Sequence, residues 1–267
     1  MFRKLTQKNS TIGKLILITL FFYLPILTAQ LFLKKAGSSD NTFIVLYFSL
    51  STILINVLLI SYAVKRKKVE SFMIQKDLKQ LRLSFLPIAF VSTLALFFVV
   101  DPLDQILPSS RIHLNYLEQL MQLKTYSFLV IVVIVPILEE ILFRGIILRN
   151  LLHKFSPFRA IAISAFFFAA IHFNLAQLVT GFIGGSFLGY IFWQTQSLLA
   201  CISVHIIYNA LSFFSYHTLR TDFSIESAID NTPVYLILYL AAALTLAFSI
   251  LFIYKTNYTK HINSGNL

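Results

Sequence analysis

Eight long apolar runs constrain the fold of this chain more than any other feature of its sequence. Each run approaches the length of about 20 apolar residues that an α-helix needs to cross a bilayer, and together they cover most of the 267 residues. The runs lie at residues 14–33, 42–64, 83–100, 126–148, 158–173, 177–194, 197–216 and 234–254. The sequence therefore predicts an all-α, polytopic membrane bundle of about eight transmembrane helices, in which residues 1–267 form a single integral membrane domain.

The distribution of charge predicts the orientation of these spans. Most of the 22 Lys and Arg residues fall in alternate connections, at 3–14, 65–82, 149–159 and 255–260, whereas most of the acidic residues fall in the others. Because basic residues concentrate on the cytoplasmic side of membrane proteins, we expect both termini to face the cytoplasm. The net charge of +11 then reflects orientation and contact with anionic lipid headgroups, so the expected partner is the lipid bilayer and not nucleic acid.

Two further patterns concern helix packing. Residues 112–123 predict an amphipathic helix at the outer membrane surface, with an apolar face that carries Leu114, Leu117, Leu120 and Met121. Four of the eight glycines fall in the sixth run and predict a face on which helices approach closely, namely Gly181, Gly184, Gly185 and Gly189.

The fourth apolar run contains three charged residues, Glu139, Glu140 and Arg144. Charged groups at membrane depth are costly, so each one marks a candidate functional site. Glu140 and Arg144 are four residues apart and are expected to pair on one helix face, which leaves Glu139 pointing about 100° away. Pro136 lacks an amide hydrogen, and it therefore predicts a kink with backbone carbonyls freed near the site.

Two other runs carry isolated polar residues. His172 follows Phe168 by four residues in the fifth run, and His205 precedes Asn209 by four residues in the seventh. Each polar group would be costly against lipid, whereas burial of all of them against one another avoids that cost. We therefore predict one hydrated site within the bilayer that these residues share with Glu139.

A carboxylate, two imidazoles and a carboxamide suit the activation of water. Hydrolysis of an amide needs a base for the water, donors for the developing oxyanion and a proton for the leaving amine. Glu139 can accept the water proton and return it to the amine, with His172 holding the same water. His205 and Asn209 can donate to the oxyanion, so the sequence favours a peptide hydrolase.

The same residues resemble the signature of the CAAX-processing and bacteriocin-processing (CPBP) intramembrane proteases, which include the Ras-converting CAAX endopeptidase. Three motifs of that family occur intact and in order: EExxxR at Glu139, Glu140 and Arg144, FxxxH at Phe168 and His172, and HxxxN at His205 and Asn209. The resemblance covers roughly residues 126–216, which are the predicted catalytic core helices.

The resemblance also implies a role for each residue. In the family pattern the first glutamate activates water, the histidine of the second motif assists it, and the third motif forms the oxyanion hole. Carried over, the catalytic residues are Glu139, His172, His205 and Asn209, and the supporting residues are Glu140, Arg144 and Phe168. Catalysis by glutamate without a cofactor is favoured, because each histidine stands alone on its span and no HExxH helix is present. The alternative is a catalytic zinc held by two His and one Glu.

Members of the family act on different classes of substrate. Eukaryotic members of the family process prenylated CAAX proteins, whereas bacterial relatives resemble proteins of peptide processing, bacteriocin self-immunity or peptide signalling. We expect a bacterial peptidase that acts on a membrane-associated peptide or protein. Two rival functions stay open: a non-catalytic scaffold or immunity protein held together by the polar clusters, and a transporter with a proton relay through Glu139 and His172.

Overall fold

The computed structural model describes residues 42–65, 85–108, 111–219, 225–229 and 231–263. Within these ranges the chain is helical and contains no strand. We number the helices α1 (Thr42–Lys65), α2 (Leu86–Ile106), α3 (Arg111–Gln122), α4 (Lys124–Leu152), α5 (Pro157–Ala170), α6 (Leu175–Thr195), α7 (Leu198–Leu219), α8 (Ile225–Ile229) and α9 (Thr232–Asn263). The predicted first span at 14–33 and most of the basic segment at 65–82 lie outside the described residues.

Six of the described helices are long and apolar enough to cross a membrane, and these are α1, α2, α4, α6, α7 and α9. Helix α5 is apolar but has only 14 residues. An all-α, polytopic membrane bundle is therefore confirmed for the described part of the chain. Six of the eight predicted spans correspond to these long helices, and a seventh corresponds to α5.

The fifth predicted span was too long at its C-terminal end. It was placed at 158–173, but α5 ends at Ala170, and His172 lies in a short turn before α6 begins at Leu175. Phe173 has a φ of 50°, a left-handed conformation that ends the helix and that bulky residues seldom adopt. Asn174 then caps α6, because its side-chain oxygen accepts a hydrogen bond from the amide of Ala176 at 2.9 Å.

Helix α4 is not a regular α-helix. Two π-helical segments, Phe128–Ile134 and Ile141–Leu148, flank a short α-helical segment, Val135–Glu140. Such wide turns inside helices are frequent at functional sites. The structure thus shows a change of helix type on both sides of the two glutamates, and the kink expected at Pro136 stays a prediction.

Helix α4 is also the centre of the bundle. Every residue from 142 to 148 is buried, including the arginine. Helix α9 lies at the periphery and exposes a broad apolar surface suited to lipid, formed by Leu236, Ile237, Leu240, Leu244 and Phe248. The polar groups of α4 are thus shielded from lipid by other helices, as the cost of burying charge in hydrocarbon requires.

The predicted glycine face lies against α5, although not at every position. A Cβ atom added to Gly185 would stand 3.0 Å from the ring of Phe168, and one added to Gly189 would stand 3.1 Å from Ile161. Gly184 was wrongly assigned to this face, since a Cβ atom there would meet no heavy atom within 4 Å. The close contact of α5 with α6 places Phe168 beside the polar groups of α4.

Candidate active site

The foundation of the site is a buried ion pair on α4. The Nη1 atom of Arg144 donates to Oε1 of Glu140 at 2.7 Å, and both side chains are almost fully inaccessible to solvent. The Nη2 atom of Arg144 donates to the backbone carbonyl of Gly185 at 3.0 Å. The expected pairing of Glu140 with Arg144 is confirmed, and it ties α4 to α6.

His205 is bound to the same carboxylate. Its Nδ1 atom lies 2.7 Å from Oε1 of Glu140. Since that oxygen already accepts from the Arg144 guanidinium, it accepts from His205 as well, and the hydrogen sits on Nδ1. The Nε2 atom of His205 then faces Glu139, with 4.0 Å between Nε2 and Oε2. His205 therefore stands between the two glutamates.

The aromatic ring of Phe168 packs against three of the polar groups. The guanidinium carbon of Arg144 lies 4.6 Å from the ring centroid, within the range of a cation–π interaction. The rings of His172 and His205 meet Phe168 edge-on, with centroids 5.3 and 5.9 Å away. Phe168 thus holds both imidazoles apart at a fixed spacing and covers the ion pair.

The turn after α5 fixes the ring of His172. Its Nδ1 atom lies 2.9 Å from the backbone carbonyl of Phe168. A carbonyl oxygen only accepts, so the hydrogen of this bond sits on Nδ1, and in the neutral ring Nε2 is left as an acceptor. The turn, and not a transmembrane helix, presents this nitrogen to the site.

Asn209 is oriented by a carbonyl of α4. Its Nδ2 atom donates to the backbone oxygen of Ile131 at 2.8 Å. In the π-helical register, the amide of Val135 bonds to the carbonyl of Val130, so the next amide would bond to the carbonyl of Ile131. Residue 136 is proline and has no such amide. The freed carbonyl predicted from Pro136 is therefore present, and it holds the carboxamide of Asn209.

One cavity of about 540 Å³ brings the predicted site residues together. Glu139, His172, His205 and Asn209 all line it, whereas Glu140 and Arg144 lie behind the wall. The four side chains come from α4, from the turn after α5 and from α7. The catalytic roles assigned to them stay predictions, but the groups share one space.

Sequence reasoning missed much of the opposite wall of this cavity. Ser49 and Thr52 of α1, Tyr116 of α3 and Thr180 of α6 also line it, and the hydroxyl of Ser49 lies 2.6 Å from the hydroxyl of Tyr126. Burial raises the pKa of Tyr116, so its phenol keeps its proton. Serine and threonine are common in membrane helices, and nothing in their spacing marks these as cavity residues.

The alternative zinc ligands face the same cavity as the proposed base. Among the residues that the structure describes, no group of three or more His, Cys, Asp or Glu side chains is placed to hold a metal ion. Glu139, His172 and His205 all line the cavity, and these are the residues that would hold a catalytic zinc. Both the cofactor-free reaction and the zinc-dependent one stay predictions.

The fold and the site are those of a multi-pass helical membrane protein with a cavity of about 540 Å³ that both apolar and polar side chains line. Residues 121–211 match a family model described as type II CAAX prenyl endopeptidase Rce1-like. The matched segment contains all three motifs, and it confirms the resemblance to the CPBP and CAAX proteases.

The other comparisons add no relative. No curated protein matches the chain, and no solved structure matches it.

Proposed function

We propose that this chain is an intramembrane endopeptidase that hydrolyses a peptide bond of a membrane-associated peptide or protein. One observation carries the proposal: Glu139, His172, His205 and Asn209 line a single cavity of about 540 Å³ inside a membrane bundle. A site of that size admits water together with a short stretch of peptide. The family match to residues 121–211 supports the same chemistry.

Glu139 is the general base of the proposed reaction. A water held between Glu139 and Nε2 of His172 loses a proton to the carboxylate as its oxygen attacks the scissile carbonyl carbon. Collapse of the tetrahedral intermediate breaks the C–N bond, and the proton passes from Glu139 to the leaving amine. The carboxylate is then ionised again, so the cycle is balanced without a further reagent.

His205 and Asn209 supply the oxyanion donors. Because Nδ1 of His205 donates to Glu140, donation from Nε2 to the oxyanion needs a hydrogen on both ring nitrogens, and the proposed reaction uses His205 in that form. Asn209 uses one Nδ2 hydrogen for Ile131, and the other is free to donate into the cavity. Donors aimed in advance at an oxyanion stabilise the transition state by about 3–4 kcal/mol each.

Glu140 acts through His205 in this scheme. It fixes which ring nitrogen of His205 carries the structural hydrogen bond, and it balances the charge of the imidazolium. Arg144 in turn holds Glu140 in place through the 2.7 Å contact between Nη1 and Oε1. These two residues are therefore positioning residues, which agrees with their location behind the cavity wall.

The substrate that we propose is a peptide or protein held at the membrane. The matched family is named for prenyl endopeptidases, and bacterial relatives resemble proteins of bacteriocin processing and immunity. Apolar side chains form much of the cavity wall, among them Phe48, Leu117 and Phe213. They suit an apolar residue beside the scissile bond, whether or not the substrate carries a lipid.

Replacing Glu139 by Gln tests the function. The substitution keeps size and hydrogen bonding but removes the base, so we expect folded protein and at least a 100-fold loss of cleavage. Membrane peptides from cells with the native chain and with the Glu139→Gln variant are compared by mass spectrometry, and the peptides that change identify the substrate. Glu118→Gln makes the same chemical change on an exposed surface of α3 and should process peptides normally.

Two outcomes would contradict the mechanism. An unchanged peptide profile in the Glu139→Gln cells would favour a non-catalytic scaffold or immunity protein. Stoichiometric zinc in the purified protein, with cleavage abolished by a chelator and restored by the metal, would favour the zinc-dependent reaction.

A further inference from the structure

The catalytic cavity lies at one end of the bundle. Its walls come from the first halves of α1 and α6, from the first half and the middle of α4, from the middle and second half of α7, and from the turn after α5. Successive spanning helices run in opposite directions, so all these segments lie toward the same side of the membrane. Glu139 lies near the middle of the 29-residue helix α4, and the cavity extends from there toward the end of the bundle where α4 begins.

Helix α3 lies across that end. Its apolar residues Leu114, Leu117, Leu120 and Met121 line the cavity, and the ring of Tyr116 meets the ring of Phe48 edge-on at 5.6 Å. The sequence predicted an amphipathic helix here, and the structure has one whose apolar face forms a wall of the cavity; its location at the outer membrane surface stays a prediction. Leu114 is still half exposed, at 50 %.

The two ends of the bundle differ in charge. At the end remote from the cavity the described side chains are basic, namely Lys65, Arg149, Lys154, Arg159 and Lys255. The sequence between α1 and α2, which joins that end, adds further Lys and Arg residues. At the cavity end the described charged side chains are mostly acidic, namely Asp101, Glu118, Glu226 and Lys124.

We propose that the catalytic cavity opens on the non-cytoplasmic side of the membrane. Basic residues concentrate on the cytoplasmic side, which assigns the remote end to the cytoplasm and the cavity end to the outside. The consequence for the substrate rests on the proposed function. For a protease with this orientation, the substrate is a membrane-anchored peptide or protein whose scissile bond lies in the outer half of the bilayer. An apolar residue packs against α3, and the chain continues into the external aqueous phase.

Cysteine labelling in intact cells tests the side on which the cavity opens. Cys201 is the only cysteine of the chain and it is fully buried, so Cys201→Ala provides a background without a reactive thiol. Single cysteines are then placed at Asn115, exposed on α3, at Thr180, which lines the cavity, and at Ser156, exposed at the remote end. The probe is a membrane-impermeant sulfonated maleimide.

We expect Asn115→Cys and Thr180→Cys to be labelled in intact cells, and Ser156→Cys only after the membrane is permeabilised. Labelling of Ser156→Cys in intact cells would overturn the inference, and so would protection of either of the other two cysteines. Because labelling needs no catalysis, it fails or succeeds independently of the Glu139→Gln experiment. An outward-facing cavity with unchanged peptides in the Glu139→Gln cells would contradict the protease alone.

Discussion

The two halves of α4 show how one helix can serve both as an anchor and as the wall of a reaction site. Residues 142–148 are buried on every side, whereas in the segment Phe128–Ile134 only Val130 and Val132 are buried, Leu129 and Ile134 are exposed, and Ile131 lines the cavity. Glu139 and Glu140 lie where the two halves meet. The packed half can hold the charged groups rigidly, and the open half admits water to the one carboxylate that faces the cavity.

Arg144→Ala should give the largest effect of the substitutions considered, because it removes a buried charge from the packed half of α4. Arg144→Ala leaves the buried carboxylate of Glu140 without its cation and frees the carbonyl of Gly185. Breaking a buried ion pair on one side destabilises proteins by about 3–5 kcal/mol. We expect a corresponding drop in the midpoint of thermal unfolding, measured on the purified protein in detergent.

Arg159→Ala is the matched control for this loss. Arg159 is exposed at the remote end of α5, and its removal should change stability by less than about 0.5 kcal/mol. Equal effects of the two substitutions would mean that the buried pair contributes nothing to the packed half.

Replacing Glu140 by Gln should lower both stability and activity, because it leaves the buried charge of Arg144 without its counter-ion, and the kinetic constants then report the positioning role. Glutamine keeps the volume and a hydrogen-bond acceptor for Arg144, but it removes the negative charge that strengthens the hydrogen bond from Nδ1 of His205 and so orients the ring. Loss of one oxyanion donor lowers the rate by about 100-fold or more. Since the donor acts on the transition state and not on the bound substrate, kcat should fall while KM stays nearly constant.

The kinetics are measured in proteoliposomes with the peptide identified from the Glu139→Gln comparison. A rise in KM with kcat unchanged would show that Glu140 organises substrate binding and not His205. Full retention of both constants would remove Glu140 from the scheme.

A methyl group at Gly185 tests how closely α6 packs against α5. The new Cβ would stand 3.0 Å from the ring of Phe168 and 3.3 Å from the backbone of Ala165, so Gly185→Ala must displace α5 or tilt the ring. Overpacking of this kind destabilises by about 1–3 kcal/mol. Gly184→Ala has open space and should be neutral or slightly stabilising. A neutral Gly185→Ala would show that α5 and α6 have room to separate, contrary to their close contact.

The sequence predicted the parts of this molecule that depend on local chemistry. Apolar runs gave the spanning helices, because hydrocarbon forces the backbone to satisfy its own hydrogen bonds. The four-residue spacing gave the contact between Glu140 and Arg144, which lie on the same helix and need no tertiary information. The position of Pro136 predicted a backbone carbonyl without its amide partner, because proline has no amide hydrogen in any helix.

Contacts between helices could not be predicted in the same way. The bond from His205 to Glu140 joins residues 65 positions apart, and only the packing of α4 against α7 decides which carboxylate the imidazole meets. The predicted span at 158–173 overran the end of α5 because Ile171 and Phe173 are as apolar as the helix before them. The left-handed φ of Phe173 is a conformational property that hydropathy does not record.

Pro136→Ala should give the smallest loss of activity, and it changes the open half of α4. Pro136→Ala restores an amide that can bond to the carbonyl of Ile131 and so compete with the carboxamide of Asn209. The net value of one such hydrogen bond is about 1 kcal/mol, which corresponds to roughly a fivefold loss of kcat. Stability should be unchanged or slightly higher, because the helix gains a backbone hydrogen bond.

The mechanism of that loss can be checked with a double-mutant cycle. If Pro136 acts only by freeing the Ile131 carbonyl for Asn209, then Pro136→Ala should cause no further loss in an Asn209→Ala background, because the two substitutions remove the same interaction. Additive losses would assign the effect of Pro136 to the shape of α4 itself. Pro157→Ala, at the first turn of α5 and far from the cavity, controls for loss of a proline as such and should leave kcat unchanged.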